Sequence, residues 1–213
     1  MNEMLNYFLA VFSALFFTID SIGVIPIFIS LTANATEAYK YKMAKKGSLI
    51  AFFILFFFAI TGSFVMNIFG ISLPAFRIAG GILLLLLAID MVLANTNSPI
   101  RNENEEEKQE TAKREDISVF PISIPLLSGP AAITLLILFM KQAEGLWEKQ
   151  LIIIVALILN MLICWLGLSF ANQISKYLGR SGINVLTRIF GILLTALACQ
   201  LFIDGVREAF HLV

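Results

Sequence analysis

Phe17-Thr18-Ile19-Asp20-Ser21-Ile22-Gly23-Val24-Ile25-Pro26 and Pro121-Ile122-Ser123-Ile124-Pro125-Leu126-Leu127-Ser128-Gly129-Pro130 place glycine, proline and small hydroxyl residues inside two long apolar runs. Proline lacks a backbone donor and its ring clashes with the preceding turn, so both stretches are expected to kink or unwind. Irregular backbone at membrane depth is tolerated only where protein buries it or it lines a cavity. A matched pair of interruptions in two halves of one chain is the pattern of a transporter's substrate site.

The surrounding sequence makes that membrane reading unavoidable. Of 213 residues, 59% are apolar and 14% charged. A spanning helix needs about 20 predominantly apolar residues, and six stretches qualify: 5–31, 47–69, 74–94, 118–140, 150–172 and 184–210. The class is a polytopic α-helical membrane protein, and a single large soluble core is excluded. The first run is also too long. Leu5 to Leu31 would extend about 40 Å as continuous helix, against a hydrocarbon core of about 30 Å. Tilt would absorb the excess, and so would a break between Asp20 and Pro26.

Charge placement gives the topology. Loops 32–46, 95–117 and 173–183 share one side and hold Lys40, Lys42, Lys45, Lys46, Arg101, Lys108, Lys113, Arg114, Lys176 and Arg180. The other side has Lys141, Lys149 and Arg207, with Arg77 at its boundary. The positive-inside rule puts the basic loops in the cytoplasm and both termini outside, in a multi-pass protein of the cytoplasmic (inner) membrane. The start, Met1-Asn2-Glu3-Met4, lacks the basic region of a signal peptide, so the first apolar segment is expected to stay in the mature protein. No basic patch interleaved with aromatics points to nucleic acid.

Asn95 to Asp116 is polar and densely charged, with the run Glu103-Asn104-Glu105-Glu106-Glu107-Lys108-Gln109-Glu110. Such composition reads as a solvated tether, with a docking role as the alternative. It divides the chain into 1–94, the linker 95–117, and 118–213. Each half then carries three spans, and an odd number means that two halves of one fold insert in opposite orientations. Arg77-Ile78-Ala79-Gly80 and Arg188-Ile189-Phe190-Gly191 open the last span of each half, a faint repeat that chance in a low-complexity apolar sequence would also produce. Pro26 and Pro130 fall late in the interrupted part of each half's first span. After the first span, Asn34 and Thr36 offer caps for a short basic helix.

Asp20 is the sharpest single residue. A carboxylate at membrane depth costs a few kcal/mol on insertion scales and should face a cavity or a partner. It would hold a substrate ammonium, ligate a coupling ion, or exchange a proton; equally, it would cap the helix that resumes after the break. Thr18, Ser21 and Gly23 lie around it, and Ser123, Ser128, Gly129 and Thr134 occupy the second break. Serine and threonine in membrane helices commonly bond their own helix, so the clustering at both breaks carries the signal rather than any one hydroxyl. The ends of a broken helix present amides on one side and carbonyls on the other, which suit a carboxylate and a cation. Two opposed breaks therefore match a small zwitterion.

The remaining polar residues read more plainly. Arg77 and Arg188 either snorkel to headgroups or close a gate by pairing with a carboxylate or loop carbonyls. Asp90 and Asp204, near span ends, read as structural. Gly80, Gly81, Gly167 and Gly191 are expected to let helices pack closely. Cys164 and Cys199 read as apolar packing, Trp147 as an interfacial anchor, and His211 as exposed. The chain contains no P-loop and no H-E-x-x-H; its serines have no His/Asp partnership in sequence, so no catalytic residue, metal or cofactor is expected and the chain does not read as an enzyme.

Three segments together resemble the MarC family of bacterial and archaeal integral membrane proteins, which includes the SnatA neutral amino-acid transporters. They are Asp20-Ser21-Ile22-Gly23-Val24-Ile25-Pro26-Ile27-Phe28; Phe69-Gly70-Ile71-Ser72-Leu73-Pro74-Ala75-Phe76-Arg77-Ile78-Ala79-Gly80-Gly81; and Pro125-Leu126-Leu127-Ser128-Gly129-Pro130-Ala131-Ala132-Ile133. The family pattern has proline after the aspartate, where this chain has Ser21, and glycine after Gly-Pro, where it has Ala131. The resemblance implies an all-α membrane protein of six transmembrane helices, arranged as two inverted three-helix repeats with helices 1 and 4 broken. It also implies export or exchange of small neutral amino acids, of the glycine and alanine class, driven by a Na+ or H+ gradient.

Residues and resemblance together give one expectation. A small neutral amino acid binds between the breaks, at Thr18, Asp20, Ser21, Gly23 and Pro26 on one side and Leu127, Ser128, Gly129, Pro130 and Thr134 on the other, with Asp20 as coupling-ion candidate. Arg77, Gly80, Gly81, Arg188 and Gly191 serve gating or packing. A non-transporting scaffold or regulatory protein docking through the 95–117 loop, a drug efflux protein and a channel are the competing readings. The oligomeric state is left undetermined, a homodimer included.

Overall fold

Asp20 takes a left-handed backbone conformation, φ +50°, and there the first helix ends. Residues with a β-carbon rarely adopt that region, and aspartate is among the few that do so readily. In the computed structural model of the chain, which describes residues 2–32, 35–93 and 116–210, α1 (Asn2–Ile19) therefore stops inside its apolar run and α2 (Ile25–Leu31) resumes after a turn. The turn is closed by Val24 N donating to Asp20 O at 3.1 Å and Ile25 N to Ile22 O at 3.1 Å. Pro26 is the second residue of α2, where its missing N–H leaves no intrahelical bond unmade.

α3 (Glu37–Ile68) is capped by Thr36, whose hydroxyl accepts from Tyr39 N at 3.3 Å; Asn34, the other expected cap, lies outside the described residues. The basic stretch and the second span form one continuous helix rather than two. At Gly70 (φ +64°) the chain turns, with Ile71 N donating back to Met66 O at 2.9 Å, and α4 (Leu73–Leu93) begins with Ser72 Oγ accepting from Ala75 N. Glycine is suited to that αL position because it has no β-carbon to clash.

The second interruption is wider than the first. Across Ser118–Leu127 the backbone makes two broad turns, with Ile122 N bonded to Ile117 O and Ser128 N to Ser123 O, and extended residues at Phe120 and Ile124. Gly129 then caps α5 (Pro130–Gln142), with proline in its first turn. α6 (Trp147–Ser169) follows a turn at Gly145, and α7 (Ala171–Ala209) follows directly from Phe170, kinking at Gly179 (φ +63°). Residues 173–183, expected as a loop, are thus helical, because the break needed to redirect the chain is confined to one glycine. Of the 95–117 linker, residues 95–115 lie outside the described residues, as does His211.

The described residues are helical and contain no strand. Four helices are long and apolar enough to cross a membrane: Glu37–Ile68, Leu73–Leu93, Trp147–Ser169 and Ser181–Ala209. Glu3–Ile19 and Pro130–Gln142 are apolar but shorter; each is continued by the broken stretch beside it. α3 packs on α6, on the Ser118–Leu127 segment and on α5, while α1 packs on α6. The most extensive packing joins α4 to α7. There, a β-carbon at Gly81 would meet Ala198 O at 2.9 Å, one at Gly191 would meet Val92 N at 2.9 Å, and one at Gly205 would meet Pro74 O at 2.9 Å. Residue numbers run in opposite senses along the seam, so the pair is antiparallel and its main chains touch.

Polar contacts gather at the two ends. Lys46 pairs with Asp116, and Asn172 Nδ2 donates to Glu37 Oε1 at 3.1 Å towards one end. The Lys46 ammonium, with the Ser118 hydroxyl and amide, holds the Asp116 carboxyl below its usual range, at about 2. At the other end Arg77 pairs with Glu208, and Lys149 lies over the Tyr7 ring.

Candidate functional site

The first break is built around a buried acid. Asp20 is 2% exposed, and its Oδ1 accepts from Gly23 N at 3.1 Å. It thus caps the turn into α2, one of the two roles expected for it. Thr18 is buried, with its hydroxyl donating to Ala14 O at 2.7 Å within α1. Ser21 differs: it is 3% exposed, and its Oγ has no hydrogen-bond partner among the described residues. Leaving a buried hydroxyl unpaired costs about 1–3 kcal/mol.

At the second break Leu127 and Ser128 are buried, Gly129 is partly exposed and Pro130 is exposed. Ser128 Oγ donates to Ser123 O at 2.7 Å, and Thr134 Oγ1 to Pro130 O at 2.8 Å. Both hydroxyls are therefore engaged by their own segment as donors, while keeping acceptor lone pairs. Ser123 Oγ lies 2.6 Å from Ser118 O and 2.8 Å from Gly47 O on α3. No side chain caps α5, whereas a carboxylate caps the turn before α2.

Two adjacent residues of α3 link the breaks. Gly47 packs on the second: a β-carbon there would meet Ile122 at 2.6 Å. Ser48 turns towards the first, its hydroxyl 4.0 Å from the Cys164 thiol of α6. The Ser21 hydroxyl also approaches that thiol. Ser48 and Cys164 are 4% and 0% exposed. Cys164 is part of the hydrophobic core, as expected, and also has the Ser48 hydroxyl at its thiol. One turn earlier on α6, Asn160 is fully buried, donating to Phe12 O and Ala156 O, with its Oδ1 unpartnered among the described residues.

Sequence reasoning missed Ser48 and Asn160. Asn160 carried a signal, being the one amide in the apolar run Leu151 to Leu168; Ser48, at the foot of a basic helix, carried none.

The residues expected to pack or gate divide three ways. Gly80 receives Thr134 and Leu138 of α5, while Gly81 and Gly191 form the α4–α7 seam. Gly167 does not pack: among the described residues nothing lies within 4 Å of where its β-carbon would be. Arg77 is half-buried and paired with Glu208, whereas Arg188 is exposed on α7. Cys199, expected to pack, is exposed on the same helix.

A sequence model of the MarC family of integral membrane proteins matches residues 5–210. The chain is 38% identical over 205 residues to the UPF0056 membrane protein MJ1677 of Methanocaldococcus jannaschii, covering 96% of this chain and 98% of that one. It is 36% identical over 204 residues to a UPF0056 membrane protein of Archaeoglobus fulgidus, covering 96% and 94% of the two chains. It is also 36% identical over 199 residues to the UPF0056 membrane protein YhcE of Escherichia coli, covering 93% and 91%. No solved structure matches the chain.

Proposed function

The chain belongs to the MarC family of integral membrane proteins, and from that membership and its two broken helices we propose a secondary transporter of small neutral amino acids, of the glycine and alanine class. The observation that carries the reading is the pair of breaks, at Asp20–Val24 and across Ser118–Gly129, joined through Gly47 and Ser48. Broken helices at membrane depth are the means by which transporters present backbone groups to a polar substrate. The uncapped amides of α5 suit a carboxylate, and the Asp20 region suits an ammonium or a coupling cation, Na+ or H+.

In this reading the halves 1–94 and 118–213 are inverted three-helix repeats that together make six spans. The packing of α3 on α6 and of α4 on α7 supports it, since each joins an element to its counterpart. The basic loops lie in the cytoplasm, both termini lie outside, and the membrane is the cytoplasmic one. Thr18, Asp20, Ser21, Gly23 and Pro26 face the substrate from one side, and Leu127, Ser128, Gly129, Pro130 and Thr134 from the other. Alternating access then moves the barrier past this fixed site.

Uptake of labelled glycine and alanine into proteoliposomes, under imposed Na+ or H+ gradients, tests the proposal. Saturable flux coupled to one gradient is expected. Absence of saturable flux with any small neutral amino acid would refute it.

A further inference from the structure

Among the described residues, α4 and α7 pack on each other more extensively than any other two elements, and through main chain at Gly81, Gly191 and Gly205. One helix comes from residues 1–94 and the other from 118–213, so this unit is shared between the halves. Elsewhere the pair is held more lightly: α4 packs on α5, and α7 on α1 and α2, with a slighter contact to α6. Each main attachment lies beside a break and is made by side chains. Gly80 of α4 receives the Thr134 methyl, one turn after Pro130. Phe190 of α7, the residue before Gly191, meets two rings of α1. Its centroid is 5.7 Å from that of Phe16 at 71°, and 5.0 Å from that of Phe17 at 57°. The Phe16 carbonyl accepts from Asp20 N at 3.2 Å, where α1 ends.

We propose that α4 and α7 move as one rigid body against α1, α3, α5 and α6, and that Phe190 on Phe16 and Phe17 is the gate over the first break. This deepens the transport reading and rests on it for what the movement uncovers. It also assigns the moving parts, because the division runs through both halves rather than between them. Separating α4 from α7 would pull apart backbone atoms in contact along a whole seam, whereas close-packed units shift as wholes between discrete arrangements. An edge-on ring contact is worth only about two- to tenfold in an equilibrium, so it can be broken and remade in each cycle. Phe16 also stacks on Phe12 at 6.1 Å, and so keeps a partner when Phe190 withdraws.

The chain supplies hinges where it enters the pair. Gly70, between α3 and α4, has φ +64°, and Gly179, ahead of the span Ser181–Ala209, has φ +63°. Among the described residues nothing lies within 4 Å of where a β-carbon would sit at either glycine. Hinges are a few such positions at element ends that absorb a change in φ and ψ.

The test measures distances between spin labels by double electron–electron resonance, on the full chain in lipid nanodiscs with Cys164→Ala and Cys199→Ala. Labels at Ile89 and Ile203, exposed on α4 and α7, report the seam; labels at Leu162 and Ile203, exposed on α6 and α7, report the movement. One seam distance is expected throughout, with and without glycine. The α6–α7 distance is expected to take two values, whose ratio Phe190→Ala shifts about two- to tenfold. Phe190→Leu keeps most of the volume and should shift the ratio in the same sense, which serves if the alanine variant does not fold. A seam distance that splits, or an α6–α7 distance that neither variant moves, would overturn the proposal.

Glycine flux into liposomes, with Phe17→Cys and Phe190→Cys in the same background, separates the two claims. A short, reducible thiol-bridging reagent is expected to stop flux, and reduction to restore it. Flux that survives bridging removes the gate and leaves the transport reading standing. Two α6–α7 distances that the variants shift, without flux in the wild type, support the moving pair and remove that reading.

Discussion

A β-carbon at Gly23 would run into the Asp20 carboxylate, so the acid at the first break sits in room that the missing side chain leaves. Gly23→Ala is expected to push the carboxylate aside and break the bond between Gly23 N and Oδ1. It should lower stability by roughly 1–3 kcal/mol. Melting in detergent checks this; an unchanged midpoint would mean that the carboxylate is not fixed by the turn.

Asp20→Asn separates the two roles of the acid. An amide oxygen can still accept from Gly23 N, and asparagine tolerates a positive φ. The fold should therefore persist, with a stability change within about 1 kcal/mol. Amino-acid flux should fall at least about tenfold, as the loss of a charged contact implies. Full flux would leave Asp20 a cap and nothing more.

The pairing of Lys46 with Asp116 gives a pH dependence of definite sign. The folded carboxyl titrates at about 2, below its ordinary value of 3.8. A lowered pKa contributes stability that is fully present above the unfolded value and is lost as pH falls through the folded one. The difference in melting temperature between wild type and Asp116→Asn should hold constant down to about pH 4 and shrink towards pH 2. Both side chains are nearly half exposed, so added salt should shrink it at neutral pH as well.

The glycines of the helix pairs should respond in opposite directions. At Gly81 and Gly191 an added β-carbon meets backbone atoms of the facing helix at 2.9 Å. Neither main chain can yield without separating α4 from α7, so alanine at either position should cost roughly 1–3 kcal/mol. Gly167→Ala fills open space within a helix and should instead stabilise by about 0.5–1 kcal/mol. Three melting curves decide the matter, and equal effects would refute the seam.

Both interruptions were legible because their causes are local. Asp20, Gly23, Pro26, Gly129 and Pro130 each restrict or free the backbone at their own position, and the over-long first run was compatible with a break as well as with tilt. The depth of the second break was less legible. Its extended residues, Phe120 and Ile124, each precede a proline, which turns them away from the helical region, but the segment is held by Ser123 reaching Gly47 across the bundle, a contact that no local pattern shows. The polar surroundings of Asp20 were hidden for a related reason. Ser48 and Cys164 lie far from Asp20 in sequence, and a single serine or cysteine in an apolar run usually satisfies itself locally. Gly167 shows the converse: a helix glycine reads as a contact surface whether or not a neighbour exists.

The glycine seam between α4 and α7 also bears on how the protein is made. α4 is synthesised well before its partner, and the face carrying Gly81 has no backbone to meet until the final helix follows. The first half alone therefore has no partner for its closest-packing surface, and α7 is the helix that supplies one. A truncation before Gly191 would leave α4 without most of this contact, even though α4 itself would be whole. Synthesis of α7, rather than of the first half, is then what closes this seam.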